Sequence, residues 1–172
     1  MNKGFTHEKN ASNNPEEWYT PEWMFRTLSL DFDLDPAAPK GGLPWIPAQE
    51  FYCKEDDGLS KPWHGLVWLN PPYGKETGKW LQRMHEHRQG IALVFSRTDS
   101  RWFHDYAVKA DAILYLKGRV RFVNADGDPG KSSPGCGSVL IGWGEVAVLA
   151  LQSVACKLGH LELIYPDKQR YL

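Results

Sequence analysis

The chain has 172 residues, about the size of one ordinary domain, and its 42% hydrophobic and 24% charged residues are close to the averages for globular proteins. This composition excludes a disordered acidic tail, a collagen-like repeat and a coiled coil, and no apolar run approaches the roughly 20 residues that span a bilayer. The net charge of −1 argues against a general polyanion binder.

Cysteine spacing and the first residues of the chain bear on where the protein acts. Cys53, Cys136 and Cys156 have no CxxC spacing, which favours reduced thiols over a disulfide framework or a zinc site, and we expect no metal. The opening segment, MNKGFTHEKNASNN, has no apolar core of the kind found in secretory signals. We therefore expect a cytoplasmic protein that does not bind a membrane.

Charge is unevenly distributed along the chain. Residues 75–121 hold ten lysines and arginines against five aspartates and glutamates, a net charge of +5. The remainder holds ten basic against sixteen acidic residues, a net charge of −6. This asymmetry is compatible with one basic face that binds a nucleic acid, although solvated helix faces also collect charge.

The predicted elements begin after a polar, asparagine-rich segment. Residues 1–17 predict a mobile arm, and residues 18–172 a single domain without repeats. Thr20 and Pro21 are typical of a helix N-cap and of a first helical position. The apolar face of that helix consists of Trp23, Met24 and Leu28.

Short apolar runs alternate with helical patterns along the rest of the chain. The predicted strands are Asp31–Asp35, Glu50–Cys53, Gly65–Leu69, Ile91–Phe95, Ala112–Leu116, Arg119–Val123, Ser138–Trp143 and Leu161–Tyr165. The predicted helices cover residues 75–89, a segment around Trp102, Phe103 and Tyr106, and Glu145–Leu158, and residues 124–137 have the composition of a flexible loop. Strands that alternate with helices predict an α/β fold, a mostly parallel sheet with helices on both faces.

The residues most informative about chemistry follow the strand Gly65–Leu69. They are Asn70, Pro71, Pro72, Tyr73 and Gly74. Ligands bind at the carboxyl ends of strands in such sheets, and the two prolines fix φ and hold the Asn70 side chain in one orientation. A planar exocyclic amine suits this site, because Asn70 and the Pro71 carbonyl can accept its two N–H bonds while Tyr73 stacks on the ring. These acceptors make the nitrogen lone pair available as a nucleophile. A merely rigid turn is the alternative interpretation.

The NPPY sequence resembles the catalytic motif of S-adenosylmethionine-dependent amino-methyltransferases. Further segments narrow the resemblance: Trp18–Trp23, Asp33–Ala38, Glu55–Ser60, Phe95–His104 and Leu116–Phe122. Their order is similar to the phage-type Dam family of DNA adenine-N6-methyltransferases, which occur in phages and prophages. The resemblance implies a Rossmann-like methyltransferase fold, S-adenosylmethionine as cofactor, DNA as partner, and action in the cytoplasm of a bacterial host, with restriction–modification as one context.

The resemblance also implies which residues form the site. The cofactor-binding residues would be Tyr19, Thr20, Pro21, Asp35, Pro36, Ala37, Asp57 and Asn70, and the catalytic residues Asn70, Pro71, Pro72 and Tyr73. The sequence DPAAP stands where many methyltransferases have a glycine-rich loop, with small alanines that allow the same close approach. Three choices stay open: Asp56 competes with Asp57 for the cofactor adenine, Glu50 and Glu55 both qualify as the ribose-binding acid, and Asp35 and Asp57 also suit ordinary turns.

A second group of residues is predicted to contact DNA. Tyr73 would stack on the target adenine, Arg97 follows another strand end, and Lys117, Arg119 and Arg121 would contact phosphate. A structural salt bridge is the alternative role for Arg97. For Lys117, Arg119 and Arg121 the alternative is that they are scattered, solvated surface charges. His85 and His87 look like a metal-ligand pair, but residues two apart on a helix diverge, so we expect no zinc site.

Together these features predict a single-domain methyltransferase that acts on adenine N6 in DNA. The adenine would leave the duplex stack to reach Tyr73, at a cost of a few kcal/mol. Two alternatives remain: methylation of a protein glutamine or an RNA base through the same NPPY geometry, and a catalytically silent nucleic-acid-binding protein on the same fold.

Overall fold

A seven-stranded sheet organises the chain in the computed structural model, which describes residues 18–130 and 134–164. The helices of this part are α1 (Glu22–Leu28), α2 (Thr77–His87), α3 (Arg101–Asp105) and α4 (Glu145–Leu158), with single 3₁₀ turns at Lys54–Asp56 and Ala107–Lys109. The strands are β1 (Phe32–Asp35), β2 (Ala48–Phe51), β3 (Val67–Leu69), β4 (Gly90–Phe95), β5 (Ala112–Leu116), β6 (Ser138–Trp143) and β7 (Gly159–Leu163). The predicted α/β class is therefore confirmed.

The strand order is β2-β1-β3-β4-β6-β5-β7. Strands β1 to β4 pair in parallel, whereas β6 runs antiparallel to both of its neighbours and β7 antiparallel to β5. Five strands thus share one direction, as predicted for a mostly parallel sheet. The carboxyl ends of β1, β3, β4 and β5 consequently lie along one border of the sheet, which we call the carboxyl edge.

Alternate residues of each strand enter two hydrophobic cores on opposite faces of the sheet. One core contains Phe32, Trp68, Ile91 and Leu140 with residues of α1 and α4, including Phe25, whose ring centroid lies 4.7 Å from that of Trp68. The other contains Leu34, Val67, Ala92 and Ile141 with Trp80, Leu81 and Met84 of α2 and Phe103 of α3. Helices therefore cover both faces.

Helix α1 begins one residue later than predicted and faces the core differently. Pro21 occupies the N-cap with extended φ and ψ, and the Thr20 hydroxyl makes no capping hydrogen bond. Met24 and Leu28 are buried as predicted, but the third buried residue is Phe25, and Trp23 is 44% exposed. The prediction of Trp23 as a core residue was wrong, because residues 24, 25 and 28 already fill the contact of α1 with the sheet.

The predicted strand Arg119–Val123 does not form. Gly118 has a φ of 84°, and within the segment only Val123 makes β-bridges, one to Tyr19 and one to Pro129. The alternation was interpreted correctly, since Val120 and Phe122 are buried between exposed arginines. A further ladder cannot form there, because β5 is already paired on both sides, with β6 and with β7.

Smaller differences concern boundaries and the predicted loop. Strand β2 lies two residues earlier than predicted, and β7 also begins two residues earlier, at Gly159. In the loop, Asn124 Oδ1 accepts the N–H groups of Asp126 and Asp128 at 3.0 and 2.9 Å, so the described part is a hydrogen-bonded turn. The predicted arm over residues 1–17 lies outside the described residues.

Candidate active site

The NPPYG loop begins where β3 ends, at the centre of the carboxyl edge. Leu34 of β1 pairs with Val67 and Leu69 pairs with Ala92 of β4, so Asn70 lies between the ends of two parallel neighbours. Pro71 is buried and Asn70 half-buried. The structure therefore places the predicted catalytic residues where a ligand can reach them from the border of the sheet.

Thr77, which the sequence analysis missed, ties this loop to α2. Its side chain is 3% exposed. The hydroxyl donates to the Pro72 carbonyl at 2.9 Å and accepts the Gly74 N–H at 3.0 Å, so both of its bonds flank Tyr73. The sequence did contain a signal for this role. Thr77 follows Gly74 by three residues at the start of a helix, where threonine hydroxyls commonly bond the adjacent backbone.

Three aromatic rings pack together above the loop. Tyr73 stacks on Phe95 at the end of β4 with ring centroids 4.2 Å apart, and Phe122 contacts both rings edge-on. The Tyr73 hydroxyl makes a long hydrogen bond of 3.5 Å to Asn70 Oδ1. Burial raises the pKa of this hydroxyl well above its ordinary value, with the nearby Cys136 thiol adding to the rise. The Tyr73 hydroxyl therefore keeps its proton and can donate it to Asn70 Oδ1.

Asp35 ends β1 as a buried carboxyl group. It is 4% exposed and accepts the Ala37 N–H at 3.1 Å. Burial raises its pKa to about 7, and the bond from Ala37 only partly opposes this effect. No ion pair with a cation accompanies Asp35 in residues 18–130 and 134–164. A positively charged ligand beside Asp35 would stabilise the ionised form of this buried carboxyl group.

The turn that carries Asp57 packs against the end of β1. A Cβ built on Gly58 would lie 2.0 Å from the Pro36 carbonyl oxygen, so only glycine allows this approach. Asp56 accepts the N–H and the thiol of Cys53, both at 2.9 Å, and these bonds lower its pKa. The Asp57 carboxylate has no hydrogen-bond partner within the described residues. Of the two candidates, Asp57 is therefore the one available for a ligand.

The segment Tyr19–Pro21 is held beside the residue that follows Phe122. Tyr19 and Val123 exchange two backbone hydrogen bonds, 2.8 and 2.9 Å long, next to the Phe122 ring. Thr20 is fully buried, and its backbone carbonyl accepts the indole N–H of Trp45 at 3.0 Å. Its hydroxyl oxygen finds no partner in the described part of the chain. A bound ligand is one partner that can satisfy such a buried hydroxyl.

The predicted DNA-contacting residues occupy two places at this edge. Arg97 is half-buried, two residues beyond Phe95, and its N–H donates to the Phe95 carbonyl at 2.8 Å. Lys117, Arg119 and Arg121 are exposed on the segment that runs from the end of β5 to Phe122. All four lie on connections that leave the carboxyl edge.

Residues 75–121, which carry a net charge of +5, do not form one basic face. Arg88 lies before β4, at the opposite border of the sheet, and pairs with Asp111 at 2.7 Å. Lys79 pairs with Glu76 at 2.7 Å, and Arg83 lies over the Trp63 ring at 5.7 Å. The basic character at the carboxyl edge therefore comes from Arg97 and the segment after β5 and not from the whole stretch.

The remaining candidates have ordinary environments. Glu50 lies 3.8 Å from His64, and Glu55 lies 3.7 Å from Lys40, so neither stands out as the ribose-binding acid. His87 bonds the Gly65 carbonyl at 2.8 Å, and His85 packs against Tyr106. In the part of the chain that the structure describes, no three His, Cys, Asp or Glu side chains form a potential metal site, and no helix is long and apolar enough to cross a membrane.

Comparison with known families adds an independent observation. A family model described as DNA N-6-adenine-methyltransferase (Dam) matches residues 7–155, which include every site residue named above. Neither a curated protein nor a solved structure matches the chain. The matched range covers most of the sequence and begins inside the predicted arm.

Proposed function

The chain belongs to the DNA N-6-adenine-methyltransferase (Dam) family and is therefore an adenine-N6 DNA methyltransferase, and we propose that Asn70, Pro71 and Tyr73 hold the adenine whose amine is methylated. When bound, S-adenosylmethionine supplies a methyl group on a positively charged sulfur. We further propose a Rossmann-like arrangement for the sheet, with the cofactor and the base at its carboxyl edge. The observation that carries the proposal is the position of NPPY between β1 and β4.

The residues at the end of β1 and around it fit S-adenosylmethionine. This cofactor carries positive charge, hydroxyls and an adenine amine, and the chain offers a buried carboxyl group at Asp35, the buried Thr20 hydroxyl and the Asp57 carboxylate. We assign the cofactor site to these three side chains together with Tyr19, Pro21, Pro36, Ala37 and Asn70. In this assignment Asp35 favours the cationic part, and Asp57 accepts from the adenine amine.

The chemistry required of the protein is positioning of the adenine amine. Asn70 Oδ1 and the Pro71 carbonyl each accept one N–H, which turns the nitrogen lone pair out of conjugation with the ring. With the cofactor bound, the nitrogen would form its bond to the methyl carbon as the carbon–sulfur bond breaks, the sulfur would leave as a neutral thioether, and the extra amine proton would pass to water. The Tyr73 ring stacks on the base. In the structure the Tyr73 hydroxyl donates to Asn70 Oδ1, and when adenine is bound the amine takes the place of the hydroxyl at this oxygen.

DNA would approach the carboxyl edge from the side of Arg97, Lys117, Arg119 and Arg121. Arg97 and Arg121 follow or precede Phe95 and Phe122, whose rings contact Tyr73, so phosphates beside a flipped adenine are within their reach, and Lys117 and Arg119 lie farther along the same segment. Nothing in the fold or in the family match favours a glutamine or RNA substrate, or a silent binding protein. We propose action in the cytoplasm of a bacterial host, with a phage or prophage as the source, in line with the family resemblance.

Substitution of Asn70 tests the proposed role of the motif. We expect Asn70→Ala to slow methyl transfer about 100-fold or more, because one acceptor that acts in the transition state is lost. Asn70→Asp keeps two acceptor oxygens and should lose much less. The measurement is incorporation of radiolabelled methyl groups into unmethylated DNA, with calorimetry of cofactor binding alongside. Wild-type rates in Asn70→Ala would remove Asn70 from the mechanism.

A further inference from the structure

An exposed tryptophan lies beside three basic side chains at the carboxyl edge. Trp23 of α1 is 44% exposed, although its neighbours Met24 and Phe25 are buried in the core. When a ligand covers an aromatic side chain that is exposed to this extent, removal of its apolar surface from water favours binding. The position of Trp23 is therefore informative about a binding partner.

Three basic residues line the same shallow depression as Trp23. Lys117 and Arg119 follow β5 and Lys157 lies in the last turn of α4, while Leu116 and Val120 form part of the floor. All three cations are exposed, and none makes a salt bridge within the described residues. The carboxylate next to Trp23, that of Glu22, is already held by Arg26 at 2.7 Å. We call Trp23, Lys117, Arg119 and Lys157 the Trp23 surface.

We propose that the Trp23 surface binds an unpaired nucleotide of the substrate strand, at a distance from the target adenine. The indole would stack on the base, and the three cations would contact its phosphate and the next one. An aromatic platform surrounded by lysine and arginine is the chemistry by which proteins bind single-stranded DNA. This inference rests on the proposed function, because it assumes that Lys117 and Arg119 face DNA.

The spacing along the chain relates this surface to the active site. Arg119 and Phe122 are three residues apart, at most about 11 Å in extended chain, and Phe122 packs against Tyr73. Nucleotides rise by about 3.4 Å each along a strand. With the 6.4 Å between the Phe122 and Tyr73 ring centroids added, Arg119 lies within a few nucleotides of the base held at Tyr73, within reach of the same strand.

The experiment compares one unmethylated mixed-sequence strand with its full duplex, using fluorescence anisotropy on the full chain. We expect Trp23→Ala to weaken binding of the single strand by about tenfold, the effect of losing one stacked base, and binding of the duplex by much less. Trp23→Phe retains an aromatic face and should bind nearly as wild type. Lys157→Gln should reduce the slope of log affinity against log salt by about 0.7 on the single strand.

Lys109→Gln serves as the matched control, since this exposed lysine precedes β5 at the opposite border of the sheet and should leave binding unchanged. Equal losses on duplex and single strand, or no loss in Trp23→Ala, would overturn the proposal. Arg121→Gln separates it from the proposed function, because Arg121 lies outside the surface. If Arg121→Gln keeps the wild-type DNA affinity while Trp23→Ala loses single-strand affinity, the proposed DNA face around Arg121 is refuted. The proposal for the Trp23 surface is then still supported.

Discussion

The hydroxyl of Thr77 controls the shape of the loop that presents Tyr73. It bonds Pro72 on one side of the tyrosine and Gly74 on the other, and it is buried from solvent. A change of loop geometry by a few tenths of an ångström would misplace both proposed acceptors for the adenine amine, since catalysis depends on near-attack geometry. Thr77 is thus a positioning residue that acts through Tyr73 and Asn70.

We predict that Thr77→Val, which has the same shape without the hydroxyl, lowers kcat about tenfold and destabilises the fold by about 1–2 kcal/mol. Thr77→Ser should recover most of both quantities, because it restores the two hydrogen bonds. Steady-state kinetics with thermal unfolding measures them, and a change confined to stability, with kcat unaltered, would mean that the hydroxyl has no role in catalysis.

The segment between β5 and the active site acts as an element although it is not a strand. Val120 and Phe122 anchor it to the core, and Arg119 and Arg121 alternate with them on the outside. The anchoring holds both guanidinium groups at the carboxyl edge, near the aromatic cluster around Tyr73. This geometry favours joint contact with the DNA backbone over independent solvated charge.

Replacement of Arg119 and Arg121 together by glutamine should therefore reduce the slope of log DNA affinity against log salt by about two, one for each lost phosphate contact. The Lys109→Gln variant again provides the comparison, with an unaltered slope expected. The test is a salt titration of duplex binding. If the double variant keeps the wild-type slope, DNA approaches the site from another direction.

Asp35 links the site to the stability of the whole molecule. Its pKa is about 7 in the folded protein and 3.8 as the reference value, so between these pH values the folded chain keeps a proton that the unfolded chain has released. The contribution of Asp35 to stability therefore falls as pH rises from about 4 to 7. A shift of about three pKa units corresponds to about 4 kcal/mol as an upper figure. Binding of a cationic ligand would offset this cost.

We predict that Asp35→Asn unfolds at a higher temperature than the wild type at pH 8, and that the difference shrinks at pH 5. The asparagine still accepts the Ala37 N–H but has no charge to bury. The same variant should bind S-adenosylmethionine more weakly. Thermal unfolding at the two pH values and calorimetry of cofactor binding check both parts, and parallel stability–pH curves would show that Asp35 does not titrate in this range.

The sequence alone located most of the elements and the place of the NPPYG loop at the end of a strand. Ala112–Leu116, Ser138–Trp143 and Glu145–Leu158 have the predicted boundaries, because apolar periodicity and glycine or proline at the ends are local properties of the chain. The position of Asn70 at a strand end was predictable for the same reason, since two prolines restrict the backbone wherever they occur. The family resemblance, confirmed by the match over residues 7–155, rests on the same local segments.

The tertiary structure decided which of these segments are neighbours. The engagement of the Asp56 carboxylate depends on the bond from Cys53, the exposure of Trp23 depends on how α1 meets the sheet, and the missing strand at 119–123 depends on β5 being paired on both sides. Each outcome is set by contacts between residues or elements that compete for the same partner. The local preferences of the sequence do not predict which contact forms, because the competing contacts arise only when the sheet and its two cores assemble.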